Sequence, residues 1–195
     1  KRLDTVRLQK TAMAFWESAA LMSGVELGLF TAISNGAGND AEIGDAVDIT
    51  ALNAERLVTV CMALDLISIV DGRYQNAPDV ERFLVEGKPG YAGPWMLFTK
   101  PRWNKFGDLT GYLRNKDEAV LGQYDGLTVE AARKMHKATS SIGMGAGRRF
   151  IRHVDLSKRT KILDLGGGSG AYSINAAKEH SHIKAVVFDL PPVAV

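Results

Sequence analysis

The chain has 195 residues, of which 46% are hydrophobic and 24% are charged, and this composition excludes an intrinsically disordered protein. A formal net charge of +2 is too small to indicate nucleic acid or an anionic membrane as a partner. The single cysteine, Cys61, excludes a disulfide within the chain and lies in the apolar run LVTVCMALDLI, where we expect a buried, unreactive thiol.

Targeting and membrane signals are missing from the sequence as given. No stretch approaches the roughly 18 uncharged apolar residues that a membrane span requires. The first ten residues, KRLDTVRLQK, lack the apolar centre of a signal peptide. We therefore expect a cytoplasmic protein that has no membrane partner.

The first 23 residues predict a helix with an unusually bulky apolar face. Apolar positions recur there at an approximately helical spacing and include Met13, Phe15 and Trp16. Such a face must be buried, either against the core of the same chain or against a second copy.

Residues 24–86 predict three short helices followed by a hairpin. The helical segments are SGVELGLFTAI, DAEIGDAV and ALNAERLVTVCMALDLI, and SIVDGRYQN follows them. Asp71 and Gly72 form a turn signal between two β-prone segments, and Asn53 is the predicted N-cap of the third helix. This order of elements is the pattern of a winged helix, and together with the leading helix it defines a predicted first domain, residues 1–86.

The charge of this region argues against DNA binding, the usual role of a winged helix. Between residues 40 and 80 the only bases are Arg56 and Arg73. The acids there are Asp40, Glu42, Asp45, Asp48, Glu55, Asp65, Asp71 and Asp79. Because so acidic a surface repels phosphates, we predict a structural or dimerising winged helix and no nucleic-acid partner.

Residues 87–155 are interpreted as a helical linker between two domains. Its first part is rich in Gly, Pro and aromatic residues, which either line a hydrophobic substrate chamber or form core. A helical pattern returns over residues 128–153 and contains Gly143, Gly145 and Gly147, which indicate a close approach to backbone or ligand. His136 lies on this predicted helix, facing the glycine-rich segment, and is either a residue that approaches substrate or an ordinary surface or core imidazole.

Residues 156–195 carry the most informative segment, KILDLGGGSG. An apolar strand runs through Asp164 into glycines that permit a sharp turn and a close ligand approach, and a helix is predicted from Ser169 or Gly170 to about Glu179. A second strand, AVVFDL, places Asp189 where a carboxylate accepts hydrogen bonds from both ribose hydroxyls of a nucleoside. The segment therefore predicts a nucleotide-type cofactor pocket.

Two patterns fit this loop. Gly166, Gly168 and Ala171 match the Gly-x-Gly-x-x-Ala pattern of dinucleotide sites, which leaves an NAD(P)-dependent oxidoreductase open. The second pattern, Asp-x-Gly-x-Gly-x-Gly from Asp164 to Gly170, is associated with S-adenosylmethionine (SAM). An acidic residue before the loop suits a cationic methionine end better than a pyrophosphate, and this favours SAM.

Metal binding is not predicted. His180 and His182 form an H-x-H pair in the polar segment KEHSHIK, without a third ligand at a suitable spacing.

The order of these segments resembles the dimeric small-molecule O-methyltransferases, the family of plant phenolic and bacterial secondary-metabolite enzymes. The resemblance covers nearly the whole chain and is most specific at DLGGGSG and FDLPPV. It implies a mainly α N-terminal region with a winged-helix dimerisation domain, followed by the start of an α/β Rossmann-like SAM-dependent methyltransferase domain.

The resemblance also implies a set of site residues. The loop residues that would lie along the methionine portion of SAM are Gly166, Gly167, Gly168 and Gly170. Asp189 would hold the ribose hydroxyls, Leu190 would lie beside the adenosine, and Asp164 leads into the loop. In the family the general base, a histidine, follows the FDLPPV position, so no catalytic residue is assigned and a further 130 to 160 residues or so are expected after residue 195.

The expected function is therefore SAM-dependent methyl transfer to a small-molecule acceptor, most readily a hydroxyl oxygen, by a homodimer. Transfer to sulfur, nitrogen or carbon on the same fold is an alternative. A winged-helix regulator with a nucleotide-binding domain is the alternative of another class.

Overall fold

A computed structural model describes residues 3–115 and 124–194 of the chain. Their contacts form two compact units, Lys1–Leu97 and Phe98–Val195, named unit 1 and unit 2 below. The three ranges predicted from the sequence, 1–86, 87–155 and 156–195, stay a prediction.

Unit 1 consists of helices and one hairpin. In chain order its elements are α1 (Val6–Leu27), α2 (Leu29–Ser34), α3 (Asp40–Val47), α4 (Ala51–Ala63), β1 (Ile67–Val70), β2 (Arg73–Asn76), α5 (Pro78–Phe83) and α6 (Gly93–Met96). The predicted order of short helices followed by a hairpin is confirmed.

The boundary between the leading helix and the first predicted helix of the winged unit was wrong. Helix α1 continues to Leu27, and Gly28 then takes a left-handed conformation, φ 75°, that ends α1 and begins α2. Glycine adopts this conformation without the steric cost that a Cβ imposes, which explains the break. The segment SGVELGLFTAI is therefore divided between two helices.

Helix α4 begins earlier and ends earlier than predicted. Its N-cap is Thr50, whose side chain accepts a hydrogen bond from the amide of Asn53, so the predicted cap at Asn53 was wrong. The helix ends at Ala63, and the left-handed Asp65, φ 57°, turns the chain into β1. Asn53 instead lies in the first turn, where its side-chain oxygen accepts a hydrogen bond from Arg56.

The hairpin has the predicted two-residue turn. Asp71 and Gly72 have φ values of 50° and 74°, and β1 pairs antiparallel with β2 from Ile67 opposite Asn76 to Val70 opposite Arg73. Positive φ at both turn positions matches the right-handed twist of a two-residue hairpin.

The core of unit 1 is apolar and includes the cysteine. Its fully buried side chains include Leu29, Phe30, Ile43, Val58 and Cys61. The expectation of a buried thiol is confirmed, and burial raises the pKa of Cys61 to about 11.

A cluster of polar contacts around Glu81 joins α2, the hairpin and α5. The Glu81 carboxylate accepts hydrogen bonds from Ser34 and Asn76, each 2.7 Å long, and from Lys88, with which it also forms an ion pair. Partial burial acts to raise the pKa of Glu81, but these three donors outweigh it and lower the pKa to about 2.

Unit 2 begins with short helical segments and ends with a βαβ unit. Its elements are a 3-10 turn (Lys100–Arg102), α7 (Trp103–Gly107), α8 (Leu109–Arg114), α9 (Val129–His153), β3 (Lys161–Leu165), α10 (Ala171–Glu179) and β4 (Lys184–Phe188). The glycines of α9 do not interrupt this helix. Strands β3 and β4 pair in parallel from Lys161 opposite Lys184 to Leu165 opposite Phe188.

The two faces of this small sheet differ in burial. Ile162 and Ala185 lie on a partly buried face, and Ile162 packs against a small core that includes Leu156, Ala176 and Ile183. On the opposite face, the apolar side chains of Leu163, Leu165, Val186 and Phe188 are each at least 60% exposed.

Within the described residues, none of the helices combines the length and the apolar character needed to cross a membrane.

The pKa of Glu81 generates a prediction for acid stability. Because this pKa lies near 2 in the folded chain and near 4.5 when unperturbed, Glu81 stabilises unit 1 fully above about pH 4.5 and loses that contribution as the pH falls towards 2. We expect Glu81→Gln to lower the urea midpoint at about pH 6 and to differ less from the wild type at about pH 3. The exposed Glu17 of α1, changed to Gln, is the control. A Glu81→Gln deficit that does not change with pH would contradict the prediction.

Candidate functional site

The loop between β3 and α10 is shaped by left-handed glycines. Gly166, Gly168 and Gly170 have φ values of 66°, 54° and 70°, which side chains with a Cβ adopt only under strain. The amide of Gly170 donates to the carbonyl of Gly167 at 2.8 Å and closes a tight turn. Gly170 is also the N-cap of α10. Because it has no side chain, no N-cap side chain accepts a hydrogen bond from the first amides of the helix, which lie at the loop.

Asp189 is bonded to this loop. The amide of Gly168 donates to Oδ2 of Asp189 at 2.7 Å, and the amide of Leu190 donates to Oδ1 at 2.7 Å. One residue earlier, the carbonyl of Phe188 accepts a hydrogen bond from the Gly166 amide at 2.7 Å. Two backbone amides of the glycine loop, those of Gly166 and Gly168, therefore hold it to the end of β4, and the Leu190 amide orients the Asp189 carboxylate locally.

Asp164 lies beneath the loop. Its Oδ2 accepts a hydrogen bond of 2.9 Å from the hydroxyl of Ser173, a buried residue of α10. A Cβ added to Gly167 would lie 2.7 Å from Cγ of Asp164 and 2.8 Å from Cγ1 of Val187. Gly167 therefore packs directly on the carboxylate, and one role of Asp164 is to anchor the loop to α10.

Helix α9 packs closely on α10, and the close approach predicted from its glycines is confirmed at Gly143 and Gly147 but not at Gly145. A Cβ on Gly147 would lie 2.6 Å from the carbonyl oxygen of Ala171 and 2.7 Å from Nδ2 of Asn175. The Asn175 amide is buried and donates to the Ala171 carbonyl at 2.7 Å. One turn further along α9, Phe150 contacts Tyr172 edge to face, with ring centroids 5.4 Å apart.

The histidines have different positions. His136 lies in α9 and is half-buried, and a Cβ on Gly168 would lie 3.5 Å from its Nε2. His180 and His182 lie after α10, with ring centroids 5.8 Å apart. In residues 3–115 and 124–194, no three His, Cys, Asp or Glu side chains are grouped closely enough to hold a metal ion.

The structure brings the predicted loop residues and Asp189 into one small site. Leu190 enters it through its backbone amide, while its side chain is exposed. Sequence reasoning missed Ser173 and Asn175, which hold Asp164 and the start of α10. Their only sequence signal is that both are polar residues on the face of α10 that must be buried.

A parallel βαβ unit with a glycine loop and an acidic strand tip defines a nucleoside-cofactor-binding fold, and the matched family gives its class. Residues 123–195 match the model of the O-methyltransferase domain. This part of the chain is therefore similar to the O-methyltransferase domain, and the resemblance identified from the sequence is confirmed.

Characterised relatives agree with this assignment. A 3-hydroxy-5-methyl-1-naphthoate 3-O-methyltransferase from Streptomyces sahachiroi is 30% identical over 95% of this chain and 55% of its own length. The tetracenomycin polyketide synthesis 8-O-methyl transferase TcmO from Streptomyces glaucescens is 32% identical over 92% of this chain and 55% of its own length. The chain thus spans about half the length of these relatives.

Solved structures share the fold. Human N-acetylserotonin methyltransferase, determined in complex with SAM, superimposes with a TM-score of 0.79 at 22% identity. The superposition covers 99% of this chain and 58% of the human chain.

The contact between α9 and α10 generates a prediction about two neighbouring glycines. Gly147→Ala is expected to destabilise unit 2 by about 1–3 kcal/mol, because the added methyl would overlap backbone atoms of α10. Gly145→Ala is the matched control, since a Cβ there meets only the end of Arg148 at 4.0 Å, and it is expected to stabilise the helix by up to about 1 kcal/mol. Urea denaturation of both variants measures the difference, and equal midpoints would refute the close contact.

Proposed function

We propose that this protein is a SAM-dependent methyltransferase that acts on a small-molecule acceptor, most readily at a hydroxyl oxygen. The observation that carries the proposal is the glycine loop closed on the Asp189 carboxylate, in a chain whose residues 123–195 match the O-methyltransferase domain. Human N-acetylserotonin methyltransferase, which has the same fold, was determined with SAM bound.

The residues present fit an adenosyl cofactor at the ribose end. Each oxygen of the Asp189 carboxylate accepts one backbone amide, and an ionised carboxylate oxygen has a second lone pair to offer. Asp189 is therefore oriented by the protein and still able to accept two ribose hydroxyls. We assign Asp189 to the ribose and Leu190 to the adenosine side.

The methionine end is assigned to the glycine loop. Gly166, Gly168 and Gly170 have no side chain of their own, so a ligand can approach the backbone of the loop closely. The uncapped start of α10 adds amide donors and the positive end of a helix dipole. An anionic group, such as the carboxylate of an amino acid, is the ligand group that suits these donors.

SAM, when bound, supplies a methyl group on a positively charged sulfur. The task of this chain is then to position and orient the cofactor, which is the main source of rate in a transfer between two bound reactants. Removal of a proton from a hydroxyl acceptor needs a general base, and none is assigned to the residues of this chain.

The acceptor atom stays open within this proposal. The matched relatives include an N,N-dimethyltransferase, OxyT, and an L-tyrosine C(3)-methyltransferase in addition to O-methyltransferases. Several of the relatives are named for a small-molecule acceptor, namely a naphthoate, L-tyrosine and acetylserotonin, and this supports a small-molecule acceptor here.

The partner we propose for unit 1 is a second copy of the chain. The first half of α1 exposes a series of large apolar side chains, namely Val6, Leu8, Met13, Phe15 and Trp16, each at least 46% exposed. Its last residues, including Gly24 and Val25, are buried in the core. A symmetric contact through the first half of α1 would bury these side chains.

The cofactor assignment predicts that Asp189→Ala weakens binding of SAM by at least tenfold, roughly the value of one lost hydrogen bond to a charged group. Isothermal titration calorimetry on the intact protein measures it. Asp155→Ala is the control, because Asp155 is an exposed acid of unit 2 whose carboxylate bonds locally to Ser157. Unchanged SAM affinity in Asp189→Ala, or preference of the wild type for NADH, would refute the proposal.

The dimer assignment predicts that Trp16→Glu converts the protein to a monomer, because a charge would have to be buried in the interface. Arg7→Glu, at an exposed position on the opposite side of the helix from Trp16, should leave the dimer intact. Sedimentation velocity gives the mass of both variants, and a monomeric wild type would contradict the assignment.

A further inference from the structure

His136 and Asp189 contact the glycine loop from different directions. The imidazole Nε2 lies 3.5 Å from the point that a Cβ on Gly168 would occupy, whereas the Asp189 carboxylate lies along the N–H bond of the same glycine. The Cα–Cβ and N–H bonds of a residue point in different directions, so the imidazole and the carboxylate contact Gly168 from different directions.

The position of His136 follows from the packing of α9. Gly143 and Gly147 lie seven and eleven residues further along this helix, and both face Ala171 at the start of α10. Residues at this spacing share one helical face, so the face that packs on α10 carries His136 to the loop two turns earlier. The half-buried imidazole is therefore held beside Gly168 by the helix pair.

The side chain of His136 has an available hydrogen-bonding group there. Across residues 3–115 and 124–194, no hydrogen bond or ion pair to its imidazole is present. Its backbone carbonyl, by contrast, lies 3.5 Å from the Thr139 hydroxyl. A neutral or protonated imidazole can donate from at least one ring nitrogen, whichever tautomer is present.

We propose that His136 is a cofactor-binding residue that donates a hydrogen bond to the carboxylate at the amino-acid end of SAM. This inference rests on the proposed function, in which Asp189 takes the ribose. SAM carries a single anionic group, its α-carboxylate. With the ribose at Asp189 and the methionine portion along the glycine loop, this carboxylate needs a donor. The imidazole beside Gly168 supplies a donor for that group, in addition to the loop amides.

The test compares two ligands that differ only in this carboxylate. S-adenosylhomocysteine carries it, and decarboxylated S-adenosylhomocysteine keeps the amine but lacks the carboxylate. For His136→Ala in the intact protein, calorimetry should give about tenfold weaker binding of S-adenosylhomocysteine. Binding of the decarboxylated ligand should change by less than about twofold, because this ligand lacks the carboxylate that His136 would bond.

Two further variants keep the result interpretable. His136→Gln retains an N–H donor and should restore part of the affinity for S-adenosylhomocysteine. His153→Ala, at the exposed end of the same helix, should bind both ligands as the wild type does.

Each other outcome overturns the inference. Unchanged binding of S-adenosylhomocysteine by His136→Ala refutes the contact, while the cofactor assignment stands. An equal loss for both ligands means that His136 only supports the loop. A wild type that binds neither ligand, with His153→Ala folded, refutes the proposed cofactor itself and the inference with it.

Discussion

The hydrogen bond from the Gly168 amide to the Asp189 carboxylate is the constraint on which the candidate site depends. It joins residues 21 positions apart in sequence, and it forms only because β3 and β4 run in parallel with Leu165 opposite Phe188. The same bond fixes the loop conformation and the orientation of the acid, so the two cannot vary independently. A cofactor that bound Asp189 as proposed would meet a loop that this bond already orders, and less ordering entropy would oppose its binding.

The sequence predicted what local chemistry determines. The strand, the glycine loop and the helix of residues 161–179 follow from residue types that few other structures need, and the Asp71-Gly72 turn follows from its positive φ values. The sequence did not predict hydrogen bonds between polar side chains of different elements. Nothing in the sequence around Asp164 indicates that Ser173 bonds it, because that contact depends on how α10 lies across the strand.

The errors in the predicted helix boundaries of unit 1 arise because residue type alone does not fix the backbone conformation. Thr50 and Asn53 are both good N-cap residues by type, and only the backbone conformation decides that Thr50 has the role. Some of the acidic side chains that argued against DNA binding also have bonding partners that the sequence does not reveal. Tyr74 donates to Asp40, and Arg73 pairs with Glu42, so some of these carboxylates tie the hairpin to α3 instead of facing a free surface.

The burial of Cys61 has a practical consequence for experiments on these 195 residues. Burial raises the pKa of the Cys61 thiol to about 11, so the thiol stays protonated at neutral pH, and the core of unit 1 also shields it from reagents. Maleimide and iodoacetamide probes should therefore react slowly with Cys61 in the folded chain. A cysteine introduced at an exposed position could carry a fluorophore or spin label without first removing Cys61.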